Sequence, residues 1–552
     1  MMKSYKNILL GLGLAATAMV GCREVENVPT PISGSADFSN YIAVGNSLTS
    51  GYADGGLYAE SQQNSYPLMI AQQMQAVGGG EFTQPTIPGN GSGYMKLTGL
   101  VGGSPVFENV APDPAFAQPL ADGPVFNNMG VPGIRVVDVQ APGYGSDPVK
   151  TNPFFYRMLP DANRMDSYIA TLAKTNPSFF TLWLGNNDIL GYAADGGKSG
   201  SAFNPINTAS LTSREAFLPN YQALLNTMTA NDAKGVAVSI PNVLDAPYFT
   251  TVNPQVQALL AVDSIAQRVT FDAATAVQAN LLYAMGGFNG ANFEAGLNFP
   301  LIQLEDSTST TVRKFDIDTD DALLTFSRIQ SDVLAKGLGY LDLTSPGLVQ
   351  LFTDVALVQA GQKQPNAIIT LLGVGTISEA LIVPVQQYVE AKNAGDDATA
   401  GAIAAQVKAA TGGQLDLDMV YPAAKNEFDN EYGIKVSPIG TEYVLDQDEK
   451  ALVVERTTEL NTEIKTLVDA NPNVAYLDIQ PILDRVIKGY AVDGVTLTGA
   501  YITGGAFSTD GIHLTPRGYA VTANGIIDAI NKDFGSTISP VQVGNYRAVE
   551  LP

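Results

Sequence analysis

The sequence predicts an α/β fold: a parallel sheet covered by helices on both faces, with one large, mostly helical insertion. Three observations predict it. Short, predominantly apolar runs, such as Ser178–Leu184, recur along the chain and stop at glycine, asparagine or proline, as strands buried on both faces do. Helical periodicity alternates with these runs, the rhythm of strands joined by helical crossovers. From about Thr250 to Tyr432 that rhythm lapses into Ala-rich helical segments such as Asp397–Ala410, then resumes in the same style. An insertion into one domain accounts for this more economically than a string of domains.

The elements follow in order. Phe38–Val44 reads as a short apolar strand, followed by a small-residue turn holding Asn46 and Ser47, and Ser65–Val77 has helical periodicity. Gly78–Gly123 is rich in Gly and Pro without a sustained period and reads as long surface loops. Val125–Asn128 resumes as a strand that breaks at Gly130 and Gly133. Ser178–Leu184 is a buried strand ending in Gly185-Asn186-Asn187-Asp188. Thr212–Thr229 reads as a helix, Gly235–Ile240 as a strand stopped by Pro241, Val474–Ile479 as the next buried strand, and Pro516–Phe534 as a closing helix. Trp183, the single tryptophan, falls within an apolar strand and reads as core.

Residues 1–22 read as a leader: Lys3 and Lys6 precede an apolar run, Ile8–Val20, too short to span a bilayer comfortably. Met19-Val20-Gly21-Cys22 resembles the lipobox of bacterial lipoproteins. That resemblance implies cleavage before Cys22, acylation of its thiol, a polar tether over residues 23–37, and attachment to the cell envelope, in the outer membrane, through lipid. Cys22 is the only cysteine, so an intramolecular disulfide is excluded. The formal charge of −24 disfavours phosphate backbones and anionic lipid surfaces, and nucleic acid is not expected as a partner.

His513 is the only histidine among 552 residues. That excludes chemistry built on two or three imidazoles, including zincin helices and two-histidine iron sites. What remains is one imidazole, Asp510 three residues before it, and Ser47 at a strand end, the parts of a nucleophilic hydrolase. In open parallel sheets, sites form where strands end. Three expected strands end in Gly45-Asn46-Ser47, in Asn128-Met129-Gly130-Val131-Pro132-Gly133 and in Gly185-Asn186-Asn187-Asp188, and Asp510–His513 leads into the last helix.

These four segments, in this order, resemble the sequence blocks of the SGNH (GDSL-type) hydrolases over roughly Phe38–Tyr248 and Ile434–Phe534. The resemblance implies a flavodoxin-like three-layer sheet in two parts, 38–249 and 433–552, around an insertion over 250–432. Leaving the sheet beside the expected site, that insertion is expected to wall or cover the pocket, the alternative being a remote stability module. It implies a serine esterase or lipase acting through an acyl-enzyme, with no metal and no organic cofactor. Ser47 would be the nucleophile, His513 the base and Asp510 its orienting partner. The Ser47 N–H, Gly133 and Asn187 would form the oxyanion hole. The substrate would be a carboxylic ester: a lipid, an acyl ester or an acetylated glycan. Asn46 stands where the family usually has aspartate, which touches the hydrogen bonding of the turn more than the triad. A non-enzymatic surface lipoprotein that binds a glycan or a protein partner is the alternative.

Other motifs fail on their residues. Gly196-Gly197-Lys198-Ser199 resembles a phosphate loop, but Tyr192 stands where the leading glycine is needed. Asp316, Asp318, Asp320 and Asp321 resemble a calcium loop, but Asp321 replaces the required glycine and Ser327 the bidentate glutamate. Ser47-Leu48-Thr49 is not the Gly-x-Ser-x-Gly elbow. Gly130 reads as structural.

Overall fold

The computed structural model describes residues 30–101, 104–120, 125–197, 211–252, 254, 270–297, 301–303, 311–314, 323–324, 345–374, 378–436, 438, 440 and 443–552. The leader, Cys22 and the acidic run Asp316–Asp321 lie outside them, as do Lys198 and Ser199. Five strands form one sheet: β1 (Tyr41–Gly45), β2 (Asn128–Gly130), β3 (Phe179–Trp183), β4 (Lys234–Val238) and β5 (Val474–Leu477). Every pairing is parallel and the spatial order is β2-β1-β3-β4-β5, an order that doubly wound sheets use. β1 and β3 are fully buried, which is why their sequences are apolar on both faces; each large apolar side chain so placed contributes about 1.5–3 kcal/mol.

Two helical layers cover the sheet. α1 (Tyr66–Met74) packs against α6 (Pro516–Phe534), while α3 (Arg214–Met228) packs against α4 (Gln447–Asp469). Two further helices follow strand exits, α2 (Asn187–Ala194) after β3 and α5 (Gln480–Lys488) after β5. α6 begins and ends on local signals. The Thr515 hydroxyl accepts from the Gly518 N–H at 3.1 Å, Pro516 opens the first turn, and Gly535 closes with φ +67°.

Four sequence expectations need correction or completion. Gly78–Gly123 is not loop throughout: Tyr94–Val101 and Ser104–Val110 pair as an antiparallel hairpin, whose Gly99 and Pro105 hid its period-two pattern. The strand expected from Val125 begins at Asn128, because Asn127 instead turns its side chain onto the Tyr41 carbonyl and Thr83. α4 and α5 had no counterpart in the sequence reading. The stretch expected as a tether ends in ordered contacts, since Ile32 and Ser35 bond to Thr537 and Phe534 at the end of α6.

The inserted stretch has an apolar core of its own, drawn from Val252 to Val444 and separate from the core around the sheet. Helices Ala273–Met285, Pro346–Gln359, Ile382–Asn393, Asp397–Ala410 and Leu417–Asn426 build it, with short two-stranded pieces beside them. The chain leaves the sheet domain at Tyr248, whose N–H donates to the Gly511 carbonyl at 3.0 Å. The root of the insertion therefore touches the loop that carries His513.

Candidate active site

The sheet register lines up the strand ends. Gly45 pairs with Gly130 on one side and with Trp183 on the other, so the segments carrying Ser47, Gly133 and Asn187 all start from one edge. That edge is where the chain order reverses, between β1 and β3. Glycine is required at two of these positions for closeness. A Cβ on Gly45 would lie 1.8 Å from the Thr49 hydroxyl, and one on Gly130 would lie 2.4 Å from the Ser50 nitrogen. The structural reading of Gly130 stands on this contact.

Ser47 opens a single helical turn, Ser47–Ser50, capped by Asn46, whose side-chain oxygen accepts from the Leu48 N–H at 3.0 Å. The Asn46 amide nitrogen donates to the Asn186 side-chain oxygen at 3.2 Å. An ionised aspartate at position 46 could cap the turn but could not make that second bond, so asparagine here ties the nucleophile turn to the exit of β3.

The Ser47 hydroxyl lies 2.8 Å from His513 Nε2, and His513 Nδ1 lies 2.8 Å from Asp510 Oδ2. Asp510 Oδ2 also accepts from the Gly55 N–H at 2.9 Å; Oδ1 accepts from the N–H groups of Ile512 and His513 at 2.9 and 2.8 Å, and from the Ser508 hydroxyl at 3.1 Å. Burial pushes the Asp510 carboxyl up, but His513 and these N–H donors outweigh it and hold the group far below the usual carboxylate range. Asp510 is thus a fixed anion that keeps its imidazole partner in one orientation. The Tyr52 ring packs on the imidazole with centroids 4.5 Å apart.

Gly133 has φ +83°, a conformation that disfavours side chains, although a Cβ there would meet only the Asn152 amide nitrogen, at 3.8 Å. Asn187 donates its amide to the Ile134 carbonyl at 3.0 Å, which leaves its second amide hydrogen for another acceptor. Among the described residues, no hydrogen bond occupies the N–H of Ser47 or of Gly133. Ser47, Asn187 and His513 line one pocket; Gly133 is not in its lining but adjoins Ile134, which anchors Asn187.

Two supports were missed by sequence reasoning. Asp54, buried and with φ +56°, accepts from the Thr509 N–H and hydroxyl, both at 3.0 Å, and from the Tyr58 hydroxyl at 2.6 Å. Its own N–H donates to the Ser508 hydroxyl at 2.9 Å. The turn Asp54–Gly55 therefore clamps the acid loop from 508 to 510. Its only sequence signal is an Asp-Gly-Gly turn seven residues after Ser47, which predicts a turn and not its partner. The second support is Asp188, fully buried, whose Oδ2 accepts from the Val136 N–H at 2.8 Å. Together with the Asn187–Ile134 bond it joins the Gly133 loop to α2.

The pocket extends from these residues across the exits of β3, β4 and β5 to α5 and α6 and opens to solvent. Trp183 is core, as expected, and also forms part of this wall. No described residue from 250 to 432 lines it, so the described part of the insertion does not wall the site. No group of three or more metal-ligating side chains occurs among the described residues. Compared with protein-family models, curated proteins and solved structures, the chain matches none.

Proposed function

We propose that this chain is a serine ester hydrolase of the SGNH type, cleaving carboxylic esters through an acyl-enzyme. The observation that carries the reading is the unbroken chain from the Ser47 hydroxyl through both nitrogens of His513 to Asp510, with 2.8 Å at each link. A serine hydroxyl needs a base within hydrogen-bond reach, and the base needs a fixed partner on its far nitrogen.

The steps follow from the geometry. Ser47 Oγ attacks the ester carbonyl carbon while His513 Nε2 takes its proton. The carbonyl oxygen gains the negative charge and is met by the Ser47 and Gly133 N–H groups and the free Asn187 amide hydrogen. Collapse expels the alcohol, protonated by His513. Water then enters and attacks the acyl carbon while His513 takes its proton; His513 returns that proton to Ser47 Oγ as the acyl–Oγ bond breaks and the acid leaves. Asp510 stabilises the imidazolium throughout without accepting its proton, since its carboxyl is held so strongly in the ionised form.

The N-terminal segment extends the proposal to location: acylated Cys22 would hold the enzyme on the cell envelope. Cys22→Ser should then abolish incorporation of labelled fatty acid. For the activity itself, a fluorophosphonate probe should label the wild-type protein at Ser47 and leave Ser47→Ala unlabelled. Absence of label on folded wild-type protein would sink the reading.

A further inference from the structure

The pocket beside Ser47 bears on what kind of ester is cleaved. Beyond the catalytic side chains its wall is made of residues such as Leu190, Val243, Ile479, Ile482, Val486 and Phe507, and it contains no Asp, Glu, Lys or Arg side chain. Most of its remaining polar side chains are already engaged. Asn46 and Asn186 bond to each other, and Asn242 donates to Asp245 at 3.0 Å and accepts from the Leu244 N–H at 3.3 Å. A sugar ring in this space would give up water on several hydroxyls and, beyond the catalytic side chains, find few side-chain partners, the Asn186 amide and the Thr522 hydroxyl. A methylene chain has no hydrogen bonds to lose on entering, and each CH₂ that leaves water gains up to about fourfold in binding.

We propose, building on the ester-hydrolase reading above, that this pocket is the acyl subsite. The substrate is then an ester of an apolar acid longer than acetate, and not an acetylated glycan. During turnover the alkyl chain stays in the pocket from attack by Ser47 until water breaks the acyl–Oγ bond. The alcohol departs after the first half-reaction, when its oxygen has taken the proton from His513. Ile482 and Val486, one turn apart on α5, would grip the chain together with Ile479 and Phe507.

The test is kcat/KM of the full-length mature protein on p-nitrophenyl acetate, butyrate, hexanoate and octanoate. Four added methylenes can yield up to about 10²-fold, and a rise of at least tenfold from acetate to hexanoate is expected. Methyl hexanoate should be cleaved faster than hexyl acetate, which separates the acyl from the alcohol side. Val486→Trp, which fills the slot, should lower the hexanoate-to-acetate ratio at least tenfold. Ile482→Ala, which removes lining without adding bulk, should lower it about threefold and serves if the tryptophan variant does not fold. A flat or falling chain-length profile on an enzyme that still cleaves acetate overturns the acyl subsite and leaves the hydrolase reading intact. Faster cleavage of hexyl acetate overturns it as well. Failure on every ester, with no fluorophosphonate label at Ser47, overturns the hydrolase reading and this proposal with it.

Discussion

Replacing Asp188 by asparagine should change how stability depends on pH. Asp188 follows the oxyanion candidate Asn187 and is fully buried. Burial raises its pKa to about 7; the Val136 N–H and the Thr212 hydroxyl pull it back, Asp138 raises it and Arg135 opposes that. Oδ1 has no hydrogen-bond partner among the described residues, so Thr212 acts by proximity without hydrogen-bond geometry. The folded pKa lies above the unfolded value of 3.8. In that window the folded chain binds more protons than the unfolded one, and stability falls as pH rises. The contribution is fully present below the unfolded pKa and is lost as pH passes through about 7. Between pH 5 and pH 8 the loss comes to ~2.5 kcal/mol, given 1.36 kcal/mol for each pKa unit of full displacement. Asp188→Asn keeps an oxygen for Val136 and does not titrate. The assay is urea unfolding followed by Trp183 fluorescence, because this single tryptophan sits in the sheet core and not in that of the insertion. Wild type should lose ~2.5 kcal/mol relative to Asp188→Asn across that range. A difference that stays constant within about 0.5 kcal/mol would show that Asp188 does not carry a raised pKa.

Three further outcomes are expected. Ser47→Ala, His513→Ala and the double variant should lose similar amounts of esterase activity, on the order of 10⁴–10⁶-fold, because neither group works without the other; multiplicative losses would refute a shared role. Asn187→Ala should lower kcat by about 10²–10³-fold with little change in KM, and a change confined to KM would reassign it to substrate binding. Asp54→Ala removes three acceptor contacts from the acid loop and its Tyr58 partner; it should lower kcat roughly tenfold or more at unchanged KM, in keeping with the cost of a small displacement of catalytic groups, and unchanged kinetics would show that the clamp is dispensable.

Much of the frame is legible in the sequence. β1, β3, β4 and β5 are apolar on both faces because both faces are covered, and that composition needs no partner to be read. α6 begins at Pro516 after a threonine cap and ends before Gly535, local chemistry visible at short range. α4 was harder: its buried stripe of Val453, Thr457, Leu460, Ile464 and Val468 includes a threonine and lies among charges, and its clearest local signal is the reciprocal cap of Asp446 and Glu449.

The site divides in the same way. Sequence alone supplied residue identities: one histidine, a carboxylate three residues before it, a serine in a strand-end turn, and an asparagine at another strand end. It also gave a reason for them to meet, since strands of one parallel sheet exit at a common edge. Tertiary structure decided the 2.8 Å link between Ser47 and His513, which are 466 residues apart, the clamp of Asp54 on Thr509, and the bond from Asn187 to Ile134. It also decided that the pocket is apolar, because its wall comes from α2, the exit of β4, α5 and α6 together. Local patterns specify which face of an element is buried; the neighbour that buries it is chosen only when distant segments pack.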